Sequence, residues 1–122
     1  MSVQAVPVTV LPAQEPLLTL EETSERLGIL VTRVIDLIRD HKIIAISREG
    51  VRMIPEIFLG EKAGVQRFVP GVIALLSDGG YSDEEIIRYL FTEDPLLPGR
   101  PIDALHGHLA REVMRRAQAM AL

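Results

Sequence analysis

A mainly α-helical fold carrying one short β-hairpin is what this sequence predicts, and three observations predict it. Two capping boxes, Thr19 with Glu22 and Ser82 with Glu85, each open a run of acidic and apolar residues. Apolar residues recur at helical spacing through Val31, Val34, Ile35 and Ile38. One β-branched run, Ile43-Ile44-Ala45-Ile46, is followed by turn chemistry and a second apolar run.

Residues 1–16 carry Pro7, Pro12 and Pro16, which discourage a helix or a central strand. The expectation there is a flexible or extended arm. It lacks the basic start and continuous apolar stretch of a signal peptide. Thr9 within it is a candidate for modification by a kinase.

The first helix starts at the Thr19 box, with Glu21, Glu22 and Glu25 where the helix dipole favours acids. Leu20, Thr23, Ser24 and Leu27 form its inward face, and Gly28 ends it. A second helix fits Val31–His41, with Thr32, Arg33, Asp36 and Arg39 on the face opposite its apolar stripe. Two short helices joined by a tight glycine turn make a helix-turn-helix. The run Ile43–Ile46, the turn Ser47-Arg48-Glu49-Gly50 and the return strand Val51–Ile54 then read as a hairpin, a wing. Pro55 suits the first turn of a further helix from Glu56 through Leu59 onward.

The second half is helical throughout. Val69–Leu76 is apolar at Val72, Ile73, Leu75 and Leu76, and Asp78-Gly79-Gly80 stops it. Ser82 caps Asp83–Phe91, whose inward face is Ile86, Ile87, Leu90 and Phe91. Asp94-Pro95 and Pro98-Gly99 mark a loop, and Pro101 opens a short turn over Ile102–Leu105. A terminal helix follows over His108–Leu122, aligned on Leu109, Val113, Ala117 and Met120. The organisation expected is therefore an arm at 1–16, a winged helix-turn-helix at 17–60 and a helical C-terminal module at 61–122.

The 122 residues are 48% hydrophobic and 25% charged, which excludes disorder along the whole chain. Aromatics are only 4%, so the core is aliphatic. There is no cysteine, which excludes disulfides, thiolate zinc sites and Cys nucleophiles. A reducing cytoplasmic location fits. No apolar run approaches the roughly 20 residues of a spanning helix, so no membrane role is expected. A net charge of −4 argues against generic coating of nucleic acid.

The segment TLEETSERLGILVTRVIDLIRDHKIIAISREGVRMIPEIFL resembles the small winged helix of excisionase and MerR-type DNA-binding proteins. It shares their acidic first helix, the Leu27-Gly28-Ile29 turn, the amphipathic second helix and a short wing ending Ile54-Pro55. In that family a polar residue often opens the second helix, where this chain has Leu30 and Val31. The later stretch GYSDEEIIRYLFTEDPLLPGRPIDALHGHLAREVMRRAQAMAL resembles the toxin-binding domain of Xre-family antitoxins. Through PGVIALLSDGGY, RYLFTEDP and RPIDALHGHLAREVMRRAQAMA, the chain from Thr19 onward is more similar still to an actinobacterial, mycobacterial-type family. Its members are winged-helix DNA-binding regulators with their own C-terminal domain. The resemblance implies a DNA-binding transcriptional regulator, with its second helix in the major groove and its wing on the backbone.

The residues placed to contact DNA are Thr32 and Arg33 on the second helix, Arg39 and Lys42 at its end, and Arg48 and Arg52 in the wing. Any one of them alone is an ordinary solvated side chain. Together they share the surface a winged helix presents. From Arg33 to Arg52 five cations face Asp36, Asp40 and Glu49, a mildly basic stretch on an acidic protein. The alternative is an antitoxin-like module whose C-terminal half binds a partner protein.

Catalysis is not expected. His106 and His108 diverge by about 200° on a helix and cannot share a metal. His108 and Glu112 could share one, but two ligands fall short of the usual three. Glu84 and Glu85 occupy a first helical turn, and Gly79-Gly80 lacks the Lys-Ser/Thr of a phosphate loop. No cofactor is expected. Monomer and homodimer both remain open; the terminal helix could pack on its own module or against a second copy, and the small size of the chain favours the first.

Overall fold

The computed structural model describes residues 5–61 and 64–122. In chain order its elements are β1 (Val6–Pro7), β2 (Leu17–Thr19), α1 (Leu20–Leu27), α2 (Val31–Arg39), β3 (Ile46–Arg48), β4 (Val51–Pro55), α3 (Val69–Asp78), α4 (Asp83–Phe91), α5 (Pro101–Ala104) and α6 (Ala110–Met120). Short 3₁₀ turns cover Val8–Val10 and Glu56–Phe58. Among the described residues the six helices and the wing stand where capping, periodicity and turn chemistry place them.

The hairpin closes through Glu49 and Gly50, both at positive φ (52° and 80°). That is the mirror-image turn whose twist matches a two-residue hairpin, and glycine enters it without a side-chain clash. The turn sets the register, pairing Arg48 with Val51, Ser47 with Arg52 and Ile46 with Met53. The first strand consequently runs Ile46–Arg48 rather than Ile43–Ile46. Ile43, Ile44 and Ala45 are fully buried instead, entering the core as a continuous apolar run.

The arm departs most from expectation. Residues 1–4 lie outside the described residues, but the rest of the arm is built into the fold. Val6 and Pro7 form a parallel edge strand against β3, and the Val6 amide donates to the Ala45 carbonyl at 3.0 Å. An edge position tolerates Pro7, whose missing N–H would face outward. Val6 and Leu11 are buried, and so is Glu15. β2 then pairs antiparallel with β4, giving a four-stranded sheet in the order β1-β3-β4-β2. Apolar burial of Val6 and Leu11 offsets the ordering cost that the prolines already lower.

The helix expected after Pro55 is only a 3₁₀ turn. Phe58 turns fully inward, its carbonyl accepts from the Gln66 amide at 2.7 Å, and the chain doubles back. Phe58 meets Phe91 edge to face, with centroids 5.8 Å apart. One hydrophobic core therefore runs across both halves, from Val6, Val34, Ile38 and Ile54 to Ile73, Leu90, Ile102 and Val113. Gln66 ties them further: its Nε2 donates to the Leu105 carbonyl and its Oε1 accepts from the Phe68 amide, both at 2.7 Å. α6 packs on α3, burying Val113 and Ala117, as the size argument favours.

Candidate nucleic-acid interface

Local chemistry positions the helix pair. The Thr19 hydroxyl accepts from the Glu22 amide at 3.0 Å, and the Glu22 carboxylate accepts from the Thr19 amide at 2.8 Å. These two bonds satisfy free donors at the start of α1. At its end Gly28 adopts the left-handed conformation, with its amide on Glu25 and the Ile29 amide on Ser24. That glycine cap reverses the chain within two residues and sets α2 against α1.

α2 seats Val34 and Ile38 in the core, with Val31 and Ile35 half-buried. Thr32, Arg33 and Arg39 are exposed on the opposite side, with Asp36 half-buried among them. Arg39 is bound to the Asp36 carboxylate, so much of its charge is answered within the helix. Arg33 forms no ion pair among the described residues. Lys42 is exposed past the end of α2, beside His41 at φ 57°. The His41 ring lies 3.7 Å from Asp83 at the start of α4, which connects the helix pair to the C-terminal half.

In the wing, Arg48 is exposed and Arg52 half-buried. Their partners across the ribbon, Val51 and Ser47, are adjacent register positions, so the two arginines project from opposite faces. The wing thus carries an arginine on each face. The structure joins Thr32, Arg33 and Arg39 on one helical face, leaves Lys42 at its end, and divides the wing pair. Thr9 is exposed in the 3₁₀ turn between β1 and β2.

Two further features escaped sequence reasoning. Arg100 is held by Glu15 and by Asp103, with its guanidinium carbon 5.4 Å from the Phe91 ring centroid. Hydrogen bonding to Arg100 holds the Asp103 carboxyl below its usual range. The Gly99-Arg100-Pro101 motif was visible, but its partner Glu15 lies 85 residues away. The second feature is a groove of about 580 Å³ over α3, α4 and α6, floored by Leu76, Tyr81, Tyr89 and Met120 and rimmed by Glu85, Arg88 and Asp94. Burial pushes the Tyr89 hydroxyl pKa up, and that hydroxyl has no hydrogen-bond partner among the described residues.

With this geometry described, the relatives are informative. Residues 5–59 match the family model described as "DNA-binding protein Rv2175c, wHTH domain", and residues 66–121 match "Rv2175c C-terminal domain of unknown function". The DNA-binding protein Rv2175c of Mycobacterium tuberculosis (strain ATCC 25618 / H37Rv) is 43% identical over 124 residues, which span 92% of this chain and 85% of that protein. The chain belongs to the Rv2175c family. The NMR structure of Rv2175c agrees, with a TM-score of 0.87 at 41% identity over 100% of this chain and 91% of that one. The mycobacterial-type winged helix with its own C-terminal domain, expected from the motifs, is what the matches return. The Rv2175c winged-helix match begins at residue 5, so it takes in the segment that forms the edge strand here. Among the described residues no helix is long and apolar enough to cross a membrane.

Proposed function

We propose that this chain is a double-stranded DNA-binding transcriptional regulator, with α2 in the major groove and the β3–β4 wing on the backbone. The observation that carries it is that Thr32 and Arg33 are exposed on α2, Arg33 forming no ion pair among the described residues, with Lys42 exposed past the helix end and arginines on both faces of the wing. The family's name, DNA-binding protein, supports the same reading. Arg33 serves a guanine edge or a phosphate, and Lys42, Arg48 and Arg52 serve phosphates. Arg39 contributes less while Asp36 holds it. On this reading residues 17–60 serve DNA and 61–122 form an appended module. A cytoplasmic, non-enzymatic protein fits this role.

A gel shift on a duplex pool tests it. Arg33→Ala with Arg48→Ala should abolish duplex binding while the circular dichroism spectrum stays unchanged. Absence of wild-type binding at low salt would sink the proposal. Thr9 is proposed as a modifiable hydroxyl because it is exposed in its turn; phosphate incorporation by a kinase should vanish in Thr9→Ala. For a protein partner we propose the C-terminal groove, which joins an apolar floor to a charged rim. Glu93, which also lines that groove, offers the test: Glu93→Arg should weaken such a complex without altering duplex binding.

A further inference from the structure

We propose that Leu30, at the tip of the helix-turn-helix, reads the C5-methyl group of a thymine in the major groove. The inference rests on the DNA-binding proposal and assigns a specificity-determining residue to it. Leu30 is the N-cap of α2, and its side chain is 72% exposed. Its neighbour Ile29 packs against the core, so the turn separates the two aliphatic side chains, one inward and one outward. The Leu30 carbonyl accepts from the Arg33 and Val34 amides at 2.9 and 3.2 Å, which fixes the backbone from which the side chain projects.

An N-cap residue ordinarily supplies a side-chain oxygen to the first free amides, and Ser, Thr, Asp and Asn do so best. The chain follows that rule at two helices, with complete capping boxes at Thr19 and Ser82. Phe68 and Leu109, at the starts of α3 and α6, also lack a side-chain cap, but both pack against the core, whereas Leu30 at the start of α2 is exposed. A local rule broken without a gain in packing points to function. Leu30 gains no burial in return, so packing does not explain it. The first residues of a recognition helix are those that meet base edges. Among major-groove features, only the thymine methyl offers an apolar partner. Leu30 and Arg33 line one shallow recess at the turn, with Ser24, Glu25, Gly28 and Ile29. A thymine next to the base pair or phosphate met by Arg33 is the geometry this implies.

The test starts from duplexes selected from a random pool by the full-length protein. Each thymine in the selected site is replaced in turn by uracil, which removes only the C5-methyl. One position should weaken wild-type binding by about four-fold, the value of one buried methyl. Leu30→Ala should bind the thymine duplex at least that much more weakly and be indifferent to uracil at that position. Leu30→Ser, which restores a capping hydroxyl, should raise the melting temperature while losing the same discrimination. If uracil costs the wild type nothing at any position, or if Leu30→Ala keeps the full penalty, the assignment is wrong. If no duplex is enriched at all, the DNA-binding proposal itself falls, which is a separate and recognisable outcome.

Discussion

Salt dependence of duplex binding offers the sharpest check on which cations meet phosphate. Five positive side chains lie between Arg33 and Arg52, but the Asp36 carboxylate already holds Arg39. With Arg33 counted on a phosphate, that leaves four: Arg33, Lys42, Arg48 and Arg52. Each neutralised phosphate contributes about 0.9 to the slope of log K against log salt. Four contacts therefore give a slope of about −3.6, and raising salt from 50 to 200 mM weakens binding roughly 150-fold. Arg48→Ala should reduce the slope to about −2.7, a loss of roughly 40-fold over the same range. Arg39→Ala should leave the slope near −3.6. Asp36→Asn frees Arg39 and should steepen it to about −4.5, roughly 500-fold. Fluorescence anisotropy on one labelled duplex across a salt series measures all four proteins. Equal slopes for wild type and Arg48→Ala, or an Arg39→Ala slope as shallow as that of Arg48→Ala, would refute the assignment of phosphate contacts.

Three further outcomes concern the scaffold. Phe58→Ala removes a fully buried ring from the joint between the halves and should cost about 3–5 kcal/mol. Denaturant unfolding should stay a single transition, followed equally by probes in either half; two separated transitions would contradict a shared core. A Cβ on Gly79 would stand 2.6 Å from the Ala121 Cα, so Gly79→Ala should destabilise by about 1 kcal/mol. The end of α6 can yield, which keeps that cost at the low end, and a melting temperature equal to wild type would show that α6 does not close on α3. Asp103, held low by Arg100, stabilises the fold fully above its unfolded pKa of about 4. That contribution fades as pH falls through the lower folded value. The stability gap between wild type and Asp103→Asn should be constant above about pH 5 and shrink below pH 4, as read by denaturant melts. A gap independent of pH would remove the Arg100 pair from the account.

The candidate interface was legible only in part. Thr32, Arg33, Lys42 and Arg48 are exposed as their positions in the pattern require. The pairing of Arg39 with Asp36 was open from spacing alone, since the two could equally have faced DNA independently. The opposite projection of Arg48 and Arg52 depends on register, and register depends on whether the turn holds two residues or four. Leu30 was visible as a departure at the start of α2, but only its exposure shows that the departure is not a packing choice.

By itself the sequence determined the elements whose causes lie three or four residues away. The Thr19 and Ser82 boxes, the Gly28 cap and the Glu49-Gly50 turn are closed by neighbours, so they can be read along the chain. Only the tertiary structure decided what depends on distant partners. The arm became an edge strand because β3 offers a free edge and the core accepts Val6 and Leu11. β2 exists because β4 lies beside it. The two halves became one body because Phe58 meets Phe91, and Glu15 meets Arg100. Short-range hydrogen bonds leave a local signature, whereas strand pairing and core burial are satisfied by whichever segment the finished fold brings alongside.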